Sequence, residues 1–287
     1  MRRRSVENVV SECEKQVRDF GMTSFDFDDD IFVKDPEWIE KFAEKYPRRV
    51  GLPFGGYAHP VLSTEAMLSR LAGAGMCYMT IGLESGSKYI LEKVYNRRHS
   101  IEKTVELARL GEKYGVALSY ELLSNCDYES EDDCLETLKL LVRVPKSHHT
   151  RVMGLAVFPP LRIARLDLPK HGLSEATFEF WNTLYLLSHY REISGEPLLA
   201  LSRDEYLKAH PDVLHAIALA FKRSEQRKWA DEADVAGSQA QLNDVSVRGF
   251  LRYAKRLAGR ALPQPLADAA RTIYHRLRSV RPPSRCQ

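Results

Sequence analysis

Four short clusters carry the side chains most able to do chemistry, Asp28-Asp29-Asp30, Tyr57-Ala58-His59, Glu84-Ser85-Gly86 and Asn125-Cys126-Asp127-Tyr128-Glu129, and Pro159-Pro160 holds the corresponding place after the last apolar run. Carboxylates in such clusters accept hydrogen bonds from ammonium groups and from sugar hydroxyls. Two of them facing one another can share the work of general acid and base, and Glu84 with Glu121 is a candidate pair for a barrel hydrolase. Asp28 and His59 offer an oxygen and a nitrogen to a metal in the same scheme. Loops are also polar simply because they are solvated, and Glu84-Ser85-Gly86 equally suits a strand-ending turn that caps the next helix.

The elements that must position these clusters follow a repeating order. An amphipathic helix over about Ser5–Phe20 places Val6, Val9, Val10, Cys13, Val17 and Phe20 at helical spacing, and Gly21 stops it. Ser24–Asp28 alternates like a strand, and Asp35-Pro36-Glu37 is a helix start. A strand near Val50–Tyr57, a helix over about Ser63–Ala74 and a buried strand over Met76–Leu83 follow. Helical patterns over about Lys88–Tyr95 and Ile101–Tyr114 lead to a strand over Val116–Leu123. Ser130 caps a helix to about Val142, and Val152–Phe158 reads as the fifth strand.

Strands separated by helices predict parallel pairing with right-handed crossovers, and these strands are apolar enough to be covered on both faces. A doubly wound sheet and a (β/α) barrel both fit, and in either one ligands sit at the carboxyl ends of the strands, where the polar clusters fall. After Pro160 the order changes: Leu173–Tyr190, Asp204–Lys222 and Val247–Leu257 read as helices, with a loose linker near 224–243.

Bulk properties narrow the class. The 287 residues are 44% hydrophobic and 28% charged, ordinary for a globular protein. No apolar run approaches the roughly 18 residues of a membrane-spanning helix. The basic start leads into an amphipathic, acidic segment rather than a signal-peptide core, so cytoplasmic residence is expected. The five cysteines, Cys13, Cys77, Cys126, Cys134 and Cys286, match no zinc or disulfide spacing. From Ser246 onward ten Lys or Arg residues face a single acid, Asp268. Arg248, Arg252, Lys255, Arg256 and Arg260 with the residues of 258–287 form a basic tail that can contact anionic membrane or nucleic acid, although a solvated terminus is the simpler expectation.

The stretch Gly73–Gly86, ending Ile81-Gly82-Leu83-Glu84-Ser85-Gly86, resembles a segment common in radical S-adenosylmethionine (SAM) proteins. Ser87–Arg97 and the opening Arg3–Val9 continue the resemblance, which runs from Arg2 to about Leu173. It is nearest to the class whose longer members carry a cobalamin-binding domain ahead of the barrel. The resemblance implies an α/β fold: an incomplete (β/α) TIM-type barrel over 1–172, with about five parallel strands of a six-strand partial barrel. A helical extension over 173–257 follows. It also implies that Asp28, Asp29 and Asp30 meet the methionine ammonium of SAM. Glu84, Ser85 and Gly86 fall where the ribose and the methionine carboxylate are contacted.

The family's Cys-x3-Cys-x2-Cys loop, whose thiolates hold a [4Fe–4S] cluster with one iron open to SAM, has no counterpart in these 287 residues. Cys126-Asp127-Tyr128-Glu129-Ser130 stands where the family often shows Asn-Pro-Tyr-Glu-Thr, and Pro159-Pro160-Leu161 replaces Pro-Gly-Thr. The expectation is a SAM-binding barrel that lacks its first strand and cluster loop and is inactive alone. The cluster, and cobalamin if it is used, would belong to the complete protein, with a fragment encoded upstream as a partner. A non-catalytic relative that binds SAM or a partner is the alternative.

Overall fold

The computed structural model describes residues 4–98, 100–146, 149–190, 195–216 and 218–219. The chain separates into two compact units, Met1–Leu173 and Ser174–Gln287.

In the first unit each α-helix begins at a side-chain cap. Ser5 accepts the Asn8 N–H to start α1 (Val6–Phe20), and Gly21, at φ 64°, ends it by donating to Val17. Asp35 caps α2 (Pro36–Arg49), whose first residue is the proline that fits there. Thr64, Ser100 and Ser130 cap α3 (Glu65–Gly73), α4 (Ile101–Lys113) and α5 (Glu131–Arg143). At α5 the cap is reciprocal: the Ser130 N–H donates to Asp133 Oδ2 at 2.9 Å.

Between the helices run β1 (Phe25–Phe27), β2 (Phe54–Ala58), β3 (Met76–Glu84), β4 (Ala117–Ser124) and β5 (His149–Gly154). All four pairings are parallel, and the order in the sheet is the order in the chain. A doubly wound sheet reverses its strand order at a switch point. This sheet has none, so of the two architectures the sequence allows it is the curled half-barrel of the (β/α) type.

The central strands β2 and β3 are buried along most of their length, as expected for cover on both faces, whereas β4 alternates. Leu118, Tyr120 and Leu122 of β4 are buried, while Ser119 and Glu121 are half-buried on the concave side. A Cβ at Gly111 of α4 would lie 2.4 Å from Met79 and 2.6 Å from Leu118, which shows how closely the helix layer seats on that face. Phe27, Phe32, Phe42, Tyr46 and Phe54 stack and cross edge-on beneath β1 and β2, with Phe27 and Phe32 centred 4.7 Å apart.

Two expectations shift in this unit. The fifth strand lies at His149–Gly154, not Val152–Phe158, because register against β4 pairs Ser119 with His149 and Ser124 with Gly154. Pro159-Pro160 is therefore well past the strand end. The helix expected over Lys88–Tyr95 is a single π-turn, Ile90–Val94, closed by the Tyr95 N–H on Ile90 O.

In the second unit α6 (Glu175–Leu187) buries Phe178, Phe180, Trp181, Leu184, Tyr185 and Leu187, so it is apolar around most of its circumference. It is followed by α7 (Glu196–Leu201) and α8 (Glu205–Ala209). The single helix expected from Asp204 to Lys222 breaks at His210 (φ −134°, ψ 65°), where Pro211 disfavours helical backbone in the preceding residue. The linker near 224–243, the helix expected at Val247–Leu257 and the basic tail lie outside the described residues. Among the described residues no helix is long and apolar enough to cross a membrane.

Candidate functional site

The carboxyl ends of β1 to β4 converge on a cleft of about 540 Å³. Asp28, Asp29 and Asp30 enter it from the exposed loop after β1, and Tyr57 and His59 from the end of β2. Gly82 and Glu84 come from β3 and Glu121 from β4. Two clusters from separate parts of the chain, the aspartates and Glu84, thus share one cavity. So do the pairs Glu84 with Glu121 and Asp28 with His59.

Glu84 is the most constrained of these groups. It sits in the left-handed region at φ 62°, an uncommon conformation for a non-glycine residue, and only 7% of it is exposed. Burial, reinforced by the nearby Glu121, raises its carboxyl above the usual carboxylate range, and Arg97 opposes the shift. Arg97 Nη2 lies 2.7 Å from Glu84 Oε1. The arginine reaches the cleft from just beyond the π-turn, where Asn96 is also left-handed at φ 54° and the Arg97 N–H is bonded to Leu91 O at 2.7 Å. Sequence reasoning includes Arg97 in the resemblance but gives it no role. The available signal is a pair of cations, Arg97-Arg98, close in sequence to Glu84.

Glu121 faces the cleft from the concave side of β4. Its Oε1 accepts from the Tyr57 hydroxyl at 3.1 Å and from Arg151 Nη1 at 3.0 Å. Tyr57 is pushed up by burial and by Glu121. These bonds make Glu121 an anchored acceptor rather than a loose acid–base partner for Glu84. His59 Nδ1 accepts the Val61 N–H at 3.2 Å, and burial with Arg97 lowers the imidazole below its ordinary value. No group of three or more His, Cys, Asp or Glu residues suited to a metal occurs among the described residues.

Ser85 and Gly86 are placed differently. Neither lines the cleft. Ser85 is fully buried, and its hydroxyl accepts the Ser87 N–H at 3.1 Å and meets Thr137 Oγ1 at 3.2 Å. Ser87 in turn accepts the Ile90 N–H at 3.2 Å, so this segment does cap the next turn.

No protein-family model matches the chain. It is 26% identical over 118 residues to cytidylyl-2-hydroxyethylphosphonate methyltransferase from Streptomyces wedmorensis, a match covering 40% of this chain and 22% of that protein. The radical SAM methyltransferase TsrM from Kitasatospora setae, solved with cobalamin and a [4Fe–4S] cluster, superposes with a TM-score of 0.50 at 19% identity. That match covers 56% of this chain and 33% of TsrM. The cobalamin-dependent SAM radical enzyme OxsB, solved with aqua-cobalamin and SAM, gives 0.54 at 12% identity, covering 94% of this chain and 54% of OxsB. The fold is that of the radical SAM enzymes.

OxsB was solved with SAM bound, and the groups of that ligand can be set beside the lining of the cleft. SAM presents an ammonium, a carboxylate, a ribose diol and a sulfonium. The cleft presents a row of aspartates, a guanidinium and two further carboxylates. Thiolates are another matter. Cys13, Cys126 and Cys134 are buried, Cys77 is exposed at the start of β3, and none of the four lines the cleft. Burial raises the Cys13 and Cys126 thiols to about 11, away from the thiolate form a cluster needs. The described cysteines do not fit a cluster site. The chain spans between a fifth and about half of the relatives named.

Proposed function

We propose that this chain is the SAM-binding barrel of a radical SAM protein and holds SAM in the cleft at the ends of β1–β4. The observation that carries the reading is the presence of Arg97 and Asp28–Asp30 in the lining of one cavity. An α-amino acid needs an anionic and a cationic receptor a few ångströms apart, and this cleft has both. In this reading Asp28, Asp29 and Asp30 take the ammonium and Arg97 takes the carboxylate, exchanging part of its bond to Glu84 for the ligand. Glu84 and Glu121 then accept from the ribose hydroxyls. The groups bind and orient; none of them is asked to break a bond.

The chain on its own is expected not to cleave SAM, since its 287 residues contain no Cys-x3-Cys-x2-Cys. We place the cluster ligands on a further segment, in cis or encoded separately, that adds a strand to β1. The Phe25 N–H donates to Pro53 O, so the backbone groups of Asp26 point to the opposite edge, where no described strand pairs. A groove of about 710 Å³, lined in part by Val9, Cys13, Phe25 and Phe27, runs along that edge beside α1. Such an edge takes an added strand readily.

Titration of purified chain with SAM tests the binding. Saturable binding that falls roughly tenfold or more in Arg97→Ala and in Glu84→Gln is expected, the size of a lost charge-assisted hydrogen bond. No binding by the wild-type chain overturns the reading. Anaerobic treatment with iron and sulfide should yield neither cluster absorbance nor 5′-deoxyadenosine, and good yields of either would overturn the assignment of the cluster elsewhere.

A further inference from the structure

We propose that Thr137, on α5 and outside the cleft, is the positioning residue that fixes the Glu84-Ser85-Gly86 turn and aims Glu84 at the ligand. The proposal deepens the SAM reading and rests on it for its functional half only.

A threonine hydroxyl has one proton and two lone pairs. Thr137 Oγ1 donates to Asp133 O at 3.1 Å, the carbonyl one turn back in its own helix. It accepts the Gly86 N–H at 2.9 Å and stands 3.2 Å from Ser85 Oγ. With its proton committed to Asp133, the contact with Ser85 is an acceptance from the Ser85 O–H. Ser85 Oγ in turn accepts the Ser87 N–H at 3.1 Å. The chain Ser87 N–H to Ser85 to Thr137 to Asp133 carbonyl therefore runs in one direction and uses every valence of the Thr137 hydroxyl.

Packing closes the same joint. A Cβ at Gly86 would fall 2.3 Å from Glu136 O and 2.6 Å from Thr137 Cα. The turn lies directly on the α5 backbone, and Ser85 and Thr137 are 0% and 2% exposed. Ser87 Oγ also bonds Asp133 Oδ1, the side chain that completes the α5 cap. Glu84 stands one residue before this clamp in a left-handed conformation that the local chain does not favour by itself. A clamp on its next three residues, made by a helix whose cap is reciprocal, is what over-determines that conformation.

The test compares Thr137→Val, which keeps the shape and removes the hydroxyl, with Thr137→Ser, which keeps the hydroxyl. Thr137→Val leaves two buried donors, Gly86 N–H and Ser85 O–H, without an acceptor. Its SAM dissociation constant should rise about tenfold, which is about 1.4 kcal/mol, and the Gly86 amide should exchange with solvent at least tenfold faster. Thr137→Ser should restore both to within about twofold of wild type. A Thr137→Ser variant as impaired as Thr137→Val would assign the effect to the methyl group and overturn the proposal, and so would a Thr137→Val variant with unchanged Gly86 exchange. If the wild-type chain binds no SAM, the functional reading fails separately, and Gly86 exchange alone still decides whether Thr137 holds the turn.

Discussion

At the end of β3, Glu84 is held on all sides: a left-handed backbone, an ion pair with Arg97, and a turn bolted to α5 through Thr137. At the end of β1, Asp28, Asp29 and Asp30 occupy an exposed loop that regains the sheet only where Phe32 and Val33 donate to Tyr57 O. The two regions bring carboxylates to the same cleft, one from the middle of the sheet and the other from its edge. β3 has nine residues and neighbours on both sides; β1 has three and a neighbour on one. A carboxylate that must keep one orientation in a desolvated place needs the first kind of support. Carboxylates that gather around a mobile, hydrated ammonium can work from the second.

That contrast is sharpest under substitution. Gly86→Ala forces a methyl group onto the Glu136 carbonyl, part of the α5 backbone, which has little room to give. It should cost about 3 kcal/mol or more in urea unfolding and abolish SAM binding. A loss below about 1 kcal/mol would mean that the centre is no stiffer than the edge.

The central region also contains a buried acid that the edge lacks. Glu129, 2% exposed, is pushed up to about 7 from 4.5 by burial, with one bond from the Cys126 N–H at 3.3 Å. Because the folded state holds this proton more tightly than the unfolded state, stability is greatest below pH 4.5. It declines as pH rises from there to about 7, and the penalty is then constant. Glu129→Gln removes the charge and keeps an acceptor. It should match wild type near pH 4.5 and exceed it by roughly 3–4 kcal/mol at pH 8, on the basis of about 1.4 kcal/mol per pH unit between 4.5 and about 7. A pH-independent difference between the two proteins would refute this account of Glu129.

The edge should yield the smallest change in stability. Replacing Asp28, Asp29 and Asp30 together by Asn should alter unfolding free energy by less than about 0.5 kcal/mol, as for other exposed positions, while weakening SAM binding roughly tenfold or more. If stability fell by several kcal/mol, the loop would be a structural element and the contrast with Glu84 would disappear.

Much of the arrangement is legible without coordinates. Ser5, Asp35, Ser130 and Gly21 announce helix boundaries through local hydrogen bonds and backbone sterics, which depend on residues only a few places apart. The repeated helix and strand pattern likewise places Asp28–Asp30 and Glu84 just past strands. Val152–Phe158 is apolar enough to pass for the fifth strand, and only pairing with Ser119–Ser124 shows that the strand begins at His149. The role of Arg97 is not legible in the same way, because a cation in a loop, here next to Arg98, carries no sign of what it faces.

Sequence alone therefore determined the helix caps, the alternation of helices with strands and the positions of the acidic clusters, since each depends on short-range chemistry. Tertiary structure decided three things: that the strands run in chain order as a half-barrel, that Glu84 meets Arg97 while Ser85 turns into α5, and that Glu121 is tied to Tyr57 and Arg151. Each of these depends on which face of one element meets another, and a difference of one residue in strand register reverses that facing.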